Sequence, residues 1–362
     1  ARDFLARECP PALVRETAKS DDGVPRDLYR RMAELGWMGL IVPERGGGLG
    51  LGAIDLVLVL EELGRAAAPG PFLATQLLVA GLLHGGTPAQ RKTWLPRILA
   101  GEAFGTIAHL EESDRHEPRG IQAKARKTRD GYVLSGTKLF VPEAAAADVI
   151  LVAARTTAGI GPSGVSLFLV ERGARGVRVT PQRHVDLTRR FGEVTLKDVA
   201  VPKSALVGVR GQGWPVLARL LDLAAIAIAA DSLGGAQRTI EMAVDYSKVR
   251  EQFGRKIGSF QAMKHIAAEM VADVEPTRSL VWYAAYAWDR HPRAAARAAA
   301  MAKATLGDVY SRTARRSVEM HGGIGFTWEF DLQLWFKRAH TNEVVFGDPA
   351  FHRERVAQLD GY

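Results

Sequence analysis

The most informative segment of this 362-residue chain is Tyr246-Ser-Lys-Val-Arg-Glu-Gln-Phe-Gly-Arg-Lys-Ile-Gly-Ser-Phe-Gln261. Arg250 carries a planar guanidinium that can make a forked contact with a phosphate group. Gln252 and Gln261 can offer amide donors to the same kind of ligand, whereas Phe253 is expected to be a core aromatic whatever the function. The stretch therefore predicts contact with a phosphate-bearing ligand.

A second stretch, His321-Gly-Gly-Ile-Gly-Phe-Thr327, lies further along the chain. Gly322 and Gly323 lack the Cβ atoms that would hold a backbone segment away from a ligand. We expect His321 to be structural and Gly325 to serve the turn. Together the two stretches predict a site at which one segment supplies a cation and another approaches the ligand with its backbone.

The first region of the chain, residues 1–105, has the apolar spacing of helices. Leu28 and Met32 recur at helical spacing, and Ile54–Ala68 forms a second apolar run. The glycine-rich segment Gly46–Gly52 lies between them. We predict a loop there, because a phosphate-binding loop needs a following helix and usually a Lys and Ser/Thr pair, neither of which is present.

In the middle region, residues 106–208, the apolar residues recur with a period of two. Its short β-branched segments are bounded by Gly, Pro or Asp and predict strands at 131–136, 149–153, 165–170, 177–180 and 193–196. These strands are clustered between helical regions rather than alternating with helices, which argues against a doubly wound nucleotide-binding fold. We predict a small β-barrel or β-sandwich domain.

The last region, residues 209–362, is helical again almost to its end. The alanine-rich stretch up to Ala230 and the segment Ala294–Ala304 strongly favour helix. Long antiparallel helices of this kind form a four-helix bundle. The predicted fold class is therefore α+β, with domains at 1–105, 106–208 and 209–362.

Charge and cysteine content narrow the class of protein. The net charge is +8 and the sequence pI about 9.7. However, arginines such as Arg26, Arg30 and Arg312 are scattered over amphipathic segments, so nucleic-acid binding is not the expected function. Cys9 is the only cysteine, and neither a metal-binding Cys/His spacing nor an apolar run of membrane-spanning length is present. We expect a cytoplasmic protein without a bound metal.

The two motif stretches resemble the Arg-x-Gln-Phe-Gly and Gly-Gly-x-Gly-aromatic signatures of the acyl-CoA dehydrogenase family. Weaker similarities at Leu35–Trp37 and Val194–Pro202 extend the resemblance over nearly the whole chain. The resemblance implies FAD-dependent α,β-desaturation of an acyl-CoA thioester, with electrons passing to an electron-transfer flavoprotein. It also implies a tetramer, a dimer of dimers of identical or different chains, in which one subunit grips the FAD of its neighbour.

The same resemblance assigns residues to the FAD site. The implied set is Arg250, Gln252, Phe253, Gln261, Gly322 and Gly323, with Phe140 at the position of a family tryptophan. Three departures weaken the transfer of the flavin-ring contacts. Ile107–Asp114 matches the family's Thr-Glu-Pro-Gly-x-Gly-Ser-Asp segment only in an ambiguous register. Pro142 has no N–H to offer the flavin, and Glu319 stands where a glutamine often meets the adenosine.

The resemblance fails at the catalytic base. Members of the family remove the α-proton with a carboxylate, whose pKa can rise toward neutrality in apolar surroundings. The sequence Phe346-Gly-Asp-Pro349 places Gly347 at the usual glutamate position, and Ala224 stands at the alternative one. Asp348 is the nearest replacement and the predicted base, although a residue before a proline also suits a helix cap. Asp222 is a weaker candidate, because it lies two residues before the alternative position and therefore on a different face of the helix.

Three hypotheses for the function remain open. In the first, the chain is an active dehydrogenase with Asp348 as its base. In the second, it is a partner subunit of a heteromeric enzyme, and its companion supplies the glutamate. Relatives that act on steroid side chains have this heteromeric arrangement. The third is a non-catalytic or DNA-associated relative. The acyl group is also open, because the alanines at 224–230 fit either a wide substrate or tight helix packing.

Overall fold

The computed structural model describes all 362 residues, with helices at both ends of the chain and strands in the middle. This architecture confirms the predicted α+β fold class. Gly46 ends a short 3-10 helix that begins at Glu44, and Gly47–Gly52 forms turn and loop, as predicted. The helices of the first region are α1 (Arg2–Glu8), α2 (Pro11–Thr17), α3 (Arg26–Glu34), α4 (Ala53–Arg65), α5 (Phe72–Gly85) and α6 (Pro88–Leu99).

The middle region is one eight-stranded sheet in the order β6-β7-β3-β2-β4-β5-β8, with β1 paired to β4. Its strands are β1 (Gly105–Ala108), β2 (Lys124–Lys127), β3 (Gly131–Pro142), β4 (Val149–Arg155), β5 (Val165–Glu171), β6 (Val177–Gln182), β7 (Phe191–Pro202) and β8 (Leu206–Val207). The sequence predicted β3 to β7. It missed β1, β2 and β8, because strands of four residues or fewer are too short to show a period of two.

The last region consists of five helices and one small hairpin. These elements are α7 (Trp214–Val249), β9 (Glu251–Gln252), β10 (Arg255–Lys256), α8 (Gln261–Arg290), α9 (Pro292–His321), α10 (Leu332–Val344) and α11 (Pro349–Leu359). The hairpin was not predicted, although it falls within the motif that carries Arg250. The alanines of 224–230 are all buried inside α7, which supports the interpretation that they serve tight helix packing.

The two helical regions share a single hydrophobic core. One cluster of 74 buried residues runs from α1 through one face of the sheet to α10, while a separate cluster of 18 covers the other face. Helices α4 and α7 cross in backbone contact at Gly64 and Gly234. A Cβ atom on Gly234 would lie 1.7 Å from the carbonyl oxygen of Glu61. This crossing fixes how α7 lies against the first region.

None of the helices combines the length and the apolar composition that crossing a membrane requires. No group of three or more His, Cys, Asp and Glu side chains lies close enough together to hold a metal ion.

Candidate active site

A cleft of about 370 Å³ lies between the sheet and the last helices. Much of its wall is apolar and comes from Leu110, Phe140, Val185, Phe191, Val344, Val345 and Phe346. Phe140 is half-exposed, and its backbone N–H donates to Oε1 of Gln182 at 3.0 Å. An apolar slot with a few polar groups at its edge suits a flat aromatic ring system.

The floor of the cleft is the turn between α10 and α11, which carries Phe346. The ammonium group of Lys303 donates to the carbonyl oxygens of Gly347 at 2.7 Å and Glu343 at 2.9 Å. Burial lowers the pKa of Lys303 to about 7. Nε2 of His352 lies 3.0 Å from the carbonyl oxygen of Phe346. Buried polar contacts therefore hold the backbone of this turn in place.

Gly347 cannot carry a side chain in this turn. Its φ is +99°, and a Cβ atom would lie 2.4 Å from Cδ1 of Phe351. L-residues with side chains rarely adopt such a φ, and the aromatic ring blocks the space. A glutamate at the usual position of the family base is therefore incompatible with this arrangement of the turn.

The two aspartates considered as replacements both have partners. Asp348 is exposed and caps α11, where its carboxylate accepts the backbone N–H of Phe351 at 2.7 Å. Asp222 is buried and forms an ion pair with Arg355, whose Nη2 lies 2.6 Å from Oδ1. Burial raises the pKa of Asp222, and Arg355 opposes that rise. The capping contact is the role that the geometry gives to Asp348.

A third carboxylate, which the sequence did not single out, lies beneath the cleft. Glu143 is buried, and its Oε1 accepts the backbone N–H of Arg190 at 3.0 Å while Oε2 has no partner. Burial raises the pKa of Glu143 to about 7. The sequence signal was an acid directly after Pro142, where the family has an amide.

Two histidines at the edge of the cleft were also missed. Nε2 of His109 and Nδ1 of His116 are 2.9 Å apart. Their loop is shaped by a buried ion pair, in which Nζ of Lys138 lies 2.6 Å from Oε1 of Glu111. Glu111 also accepts the backbone N–H groups of residues 122 and 123. The pairing depends on contacts between distant residues, so the sequence alone gave no sign of it.

The two motif stretches meet at the C-terminal end of α7. The rings of Tyr246 and His321 stack with centroids 4.5 Å apart, which brings the turn after α9 next to the end of α7. Arg250 is exposed, and its guanidinium has no partner within the chain. A Cβ atom on Gly322 or Gly323 would meet nothing within 4 Å, so both glycines border open space.

Comparison with known proteins identifies the family. Three family models match in order: the acyl-CoA dehydrogenase N-terminal domain over residues 1–102, the middle domain over 107–199 and the C-terminal domain over 211–359. The acyl-CoA dehydrogenase of Bacillus subtilis (strain 168) is 30% identical over 364 residues, covering 97% of this chain and 93% of its own. The chain belongs to the acyl-CoA dehydrogenase family.

This acyl-CoA dehydrogenase is also similar to a subunit of a known complex and to a solved structure. Subunit CarC of the caffeyl-CoA reductase-Etf complex of Acetobacterium woodii is 28% identical and covers 96% of this chain and 92% of its own. The structure of butyryl-CoA dehydrogenase from Megasphaera elsdenii superposes with a TM-score of 0.90 at 27% identity, covering 99% and 95% of the two chains. This chain is accordingly an FAD-dependent oxidoreductase that acts on the CH–CH bond of an acyl-CoA thioester.

The residues present in this acyl-CoA dehydrogenase fit FAD. The apolar cleft suits the flavin ring, and Arg250 with the open backbone at Gly322 and Gly323 suits a pyrophosphate. Gln252 and Gln261 are exposed at the same end, and so is Phe253, with 90% of its surface accessible. The expectation that Phe253 is a core aromatic was therefore wrong, because the ring projects from the tip of the β9–β10 hairpin.

Proposed function

We propose that this acyl-CoA dehydrogenase desaturates short-chain acyl-CoA thioesters. The observation that supports a short acyl group is a small cavity beside Phe346, with a volume of about 10 Å³. Gly70, Leu73, Ala74 and Ile228 line it. A cavity of that size holds about one water molecule. An acyl chain that extends into this cavity therefore has almost no room.

We propose further that a second copy of the chain, or a homologue, completes the FAD site. Ile228 lies beside the cavity, whereas Arg250 ends α7, about 33 Å further along the helix at 1.5 Å per residue. A single dinucleotide that places its ring near this cavity would have to span about this distance to reach Arg250 of the same chain. The free guanidinium and the open glycines are thus available to an FAD molecule held mainly by another subunit.

The chemistry divides between the cofactor and the chain. Bound FAD would supply the acceptor for the hydride of the β-carbon, and an electron-transfer flavoprotein would take the electrons onward, in line with the similarity to CarC. Phe140 and Phe346 would exclude water from the reacting carbons. Polarisation of the thioester makes the α-proton acidic enough for a base of the protein to remove it.

A chain-length series tests the short acyl group. Bleaching of the flavin absorbance by saturated acyl-CoA thioesters is expected to be fastest with four carbons and to fall steeply by eight and sixteen. Ile228→Ala should shift the preference toward longer chains, because it enlarges the cavity. Ile240→Ala makes the same truncation at another buried position of α7 and should leave the preference unchanged. A preference for sixteen carbons in the unmodified protein would refute the proposal.

A heteromeric enzyme is the second candidate, and Gly347 favours it. Because a glutamate does not fit there, a companion chain could supply a complete acyl site while this chain contributes Arg250 to its FAD. In that case the chain alone would give no bleaching with any acyl-CoA, and adding a co-encoded homologue would restore it. Bleaching by the isolated chain would exclude this arrangement.

A further inference from the structure

The cleft that suits the flavin ring meets a second cleft beside it. The second cleft has a volume of about 260 Å³, and Trp214, Leu221 and Arg355 are among the residues that line it. The two clefts share only His116 and Phe346 among their lining residues. A long ligand that occupies both clefts must therefore cross between these two side chains.

The histidine pair lies at this crossing. His109 stacks on Phe346, with ring centroids 6.0 Å apart and planes inclined by 8°. His116 packs against Phe351, with ring centroids 5.5 Å apart. The same Phe351 ring blocks the position of a side chain at Gly347. The imidazoles thus border the turn from which the family's glutamate would project.

One ring nitrogen of the pair is free to accept a proton. Nδ1 of His116 is engaged with Nε2 of His109, and Nε2 of His116 has no partner within the chain. If Nδ1–H of His116 donates to His109, the lone pair of Nε2 faces outward from the pair. A neutral imidazole held in one tautomer by a second group has the form of a general base.

The charges around His116 favour that neutral form. Burial lowers the pKa of His116 to about 4, the cations Lys303 and Arg355 lower it further, and the anions Asp114 and Asp348 oppose them. His109 and His352 also face it, and burial lowers the pKa values of both. At neutral pH the ring is therefore uncharged.

We propose that His116 is the base that removes the α-proton of the acyl-CoA, with His109 as the residue that positions it. This inference rests on the proposed function. In the step, the α C–H bond breaks and its proton passes to Nε2 of His116. The electron pair of that bond is delocalised onto the thioester carbonyl. Transfer of the β-hydride to the bound FAD that the proposed function requires would then complete the oxidation.

Proton removal can be measured apart from the redox step. Acetyl-CoA has α-hydrogens but no β-carbon, so incorporation of deuterium from D₂O into its methyl group, followed by mass spectrometry, reports the base alone. His116→Ala should slow this incorporation by about 100-fold or more, the usual range for loss of a general base. Added imidazole should restore much of the rate by occupying the space of the missing ring. His265→Ala, at an exposed histidine of α8, is the matched control.

A second pair of variants tests the positioning role. His109→Gln can keep a hydrogen bond to Nδ1 of His116 and should retain most of the deuterium incorporation. His109→Phe keeps the stacking on Phe346 but removes the hydrogen bond, and it should lose incorporation. Equal rates in the two variants would overturn the role of His109.

The outcomes separate this inference from the proposed function. If the unmodified protein neither incorporates deuterium nor bleaches with butyryl-CoA, the proposed function fails. If it does either and His116→Ala does so at the same rate, the inference fails. A loss in His116→Ala that imidazole does not restore, with melting temperature and CoA-thioester binding unchanged, also overturns it. Loss in Glu143→Gln but not in His116→Ala would move the base to Glu143.

Discussion

At the scale of single residues, the turn 346–348 explains why this chain departs from its family. Gly347 has a left-handed φ and the ring of Phe351 against it, so it is a glycine for a steric reason. Asp348, one residue later, points its carboxylate at the first turn of α11 and lines neither cleft. The sequence suggested two roles for Asp348, catalytic base and helix cap, and the geometry favours the helix cap.

This assignment predicts opposite results for two substitutions of Asp348. Asp348→Ala removes the cap and should lower the free energy of unfolding by about 1 kcal/mol. Asp348→Asn can still accept the N–H of Phe351 and should keep both stability and flavin bleaching. The measurements are urea unfolding and the bleaching rate. Loss of bleaching in the asparagine variant at unchanged stability would return the role of base to Asp348.

At the scale of elements, α7 connects the two parts of the site. Ile228 in its first half lines the small cavity beside Phe346, and Arg250 follows its last residue. The position of the helix is set where it crosses α4, since Gly64 and Gly234 allow the two backbones to touch. The buried alanines at 224–230 continue this close packing along the helix.

The crossing predicts that Gly234→Ala is destabilising. The added methyl would overlap the Glu61 carbonyl, and we expect a loss of roughly 1–3 kcal/mol, typical of overpacking, despite the better helix propensity of alanine. Gly81→Ala in α5 is the control, because its Cβ would meet only the ends of the flexible Leu151 and Leu220 side chains. Thermal unfolding of the two variants decides the matter. Equal melting temperatures would show that the crossing tolerates a side chain.

At the scale of the whole molecule, the two regions proposed to bind FAD lie apart from each other. The small cavity beside Phe346 adjoins Ile228 near the middle of α7, whereas Arg250 follows the last residue of that helix. Exposed apolar groups accompany the second half-site, among them Phe253, Phe326 and Trp328. Exposed apolar side chains near a free cation are typical of a surface that another subunit covers.

The arrangement predicts that Arg250→Ala lowers the amount of bound FAD. Loss of the phosphate contact should reduce flavin per chain several-fold, and wild-type occupancy should return when FAD is added in excess. Lys248→Ala, two residues earlier and exposed, should leave the occupancy unchanged. Flavin absorbance relative to protein gives the ratio. Unchanged occupancy in Arg250→Ala would remove this residue from the FAD site.

The sequence by itself determined the α+β architecture and the family, because helical and strand periods and the two motifs are recorded in neighbouring residues. It could not determine the exposure of Phe253, the left-handed turn at Gly347 or the pairing of His109 with His116. Each of these depends on contacts between residues far apart in the chain, such as Lys138 with Glu111 and Lys303 with the turn after α10. Only the packed structure brings those partners together, so only the structure decides which side chains line the clefts.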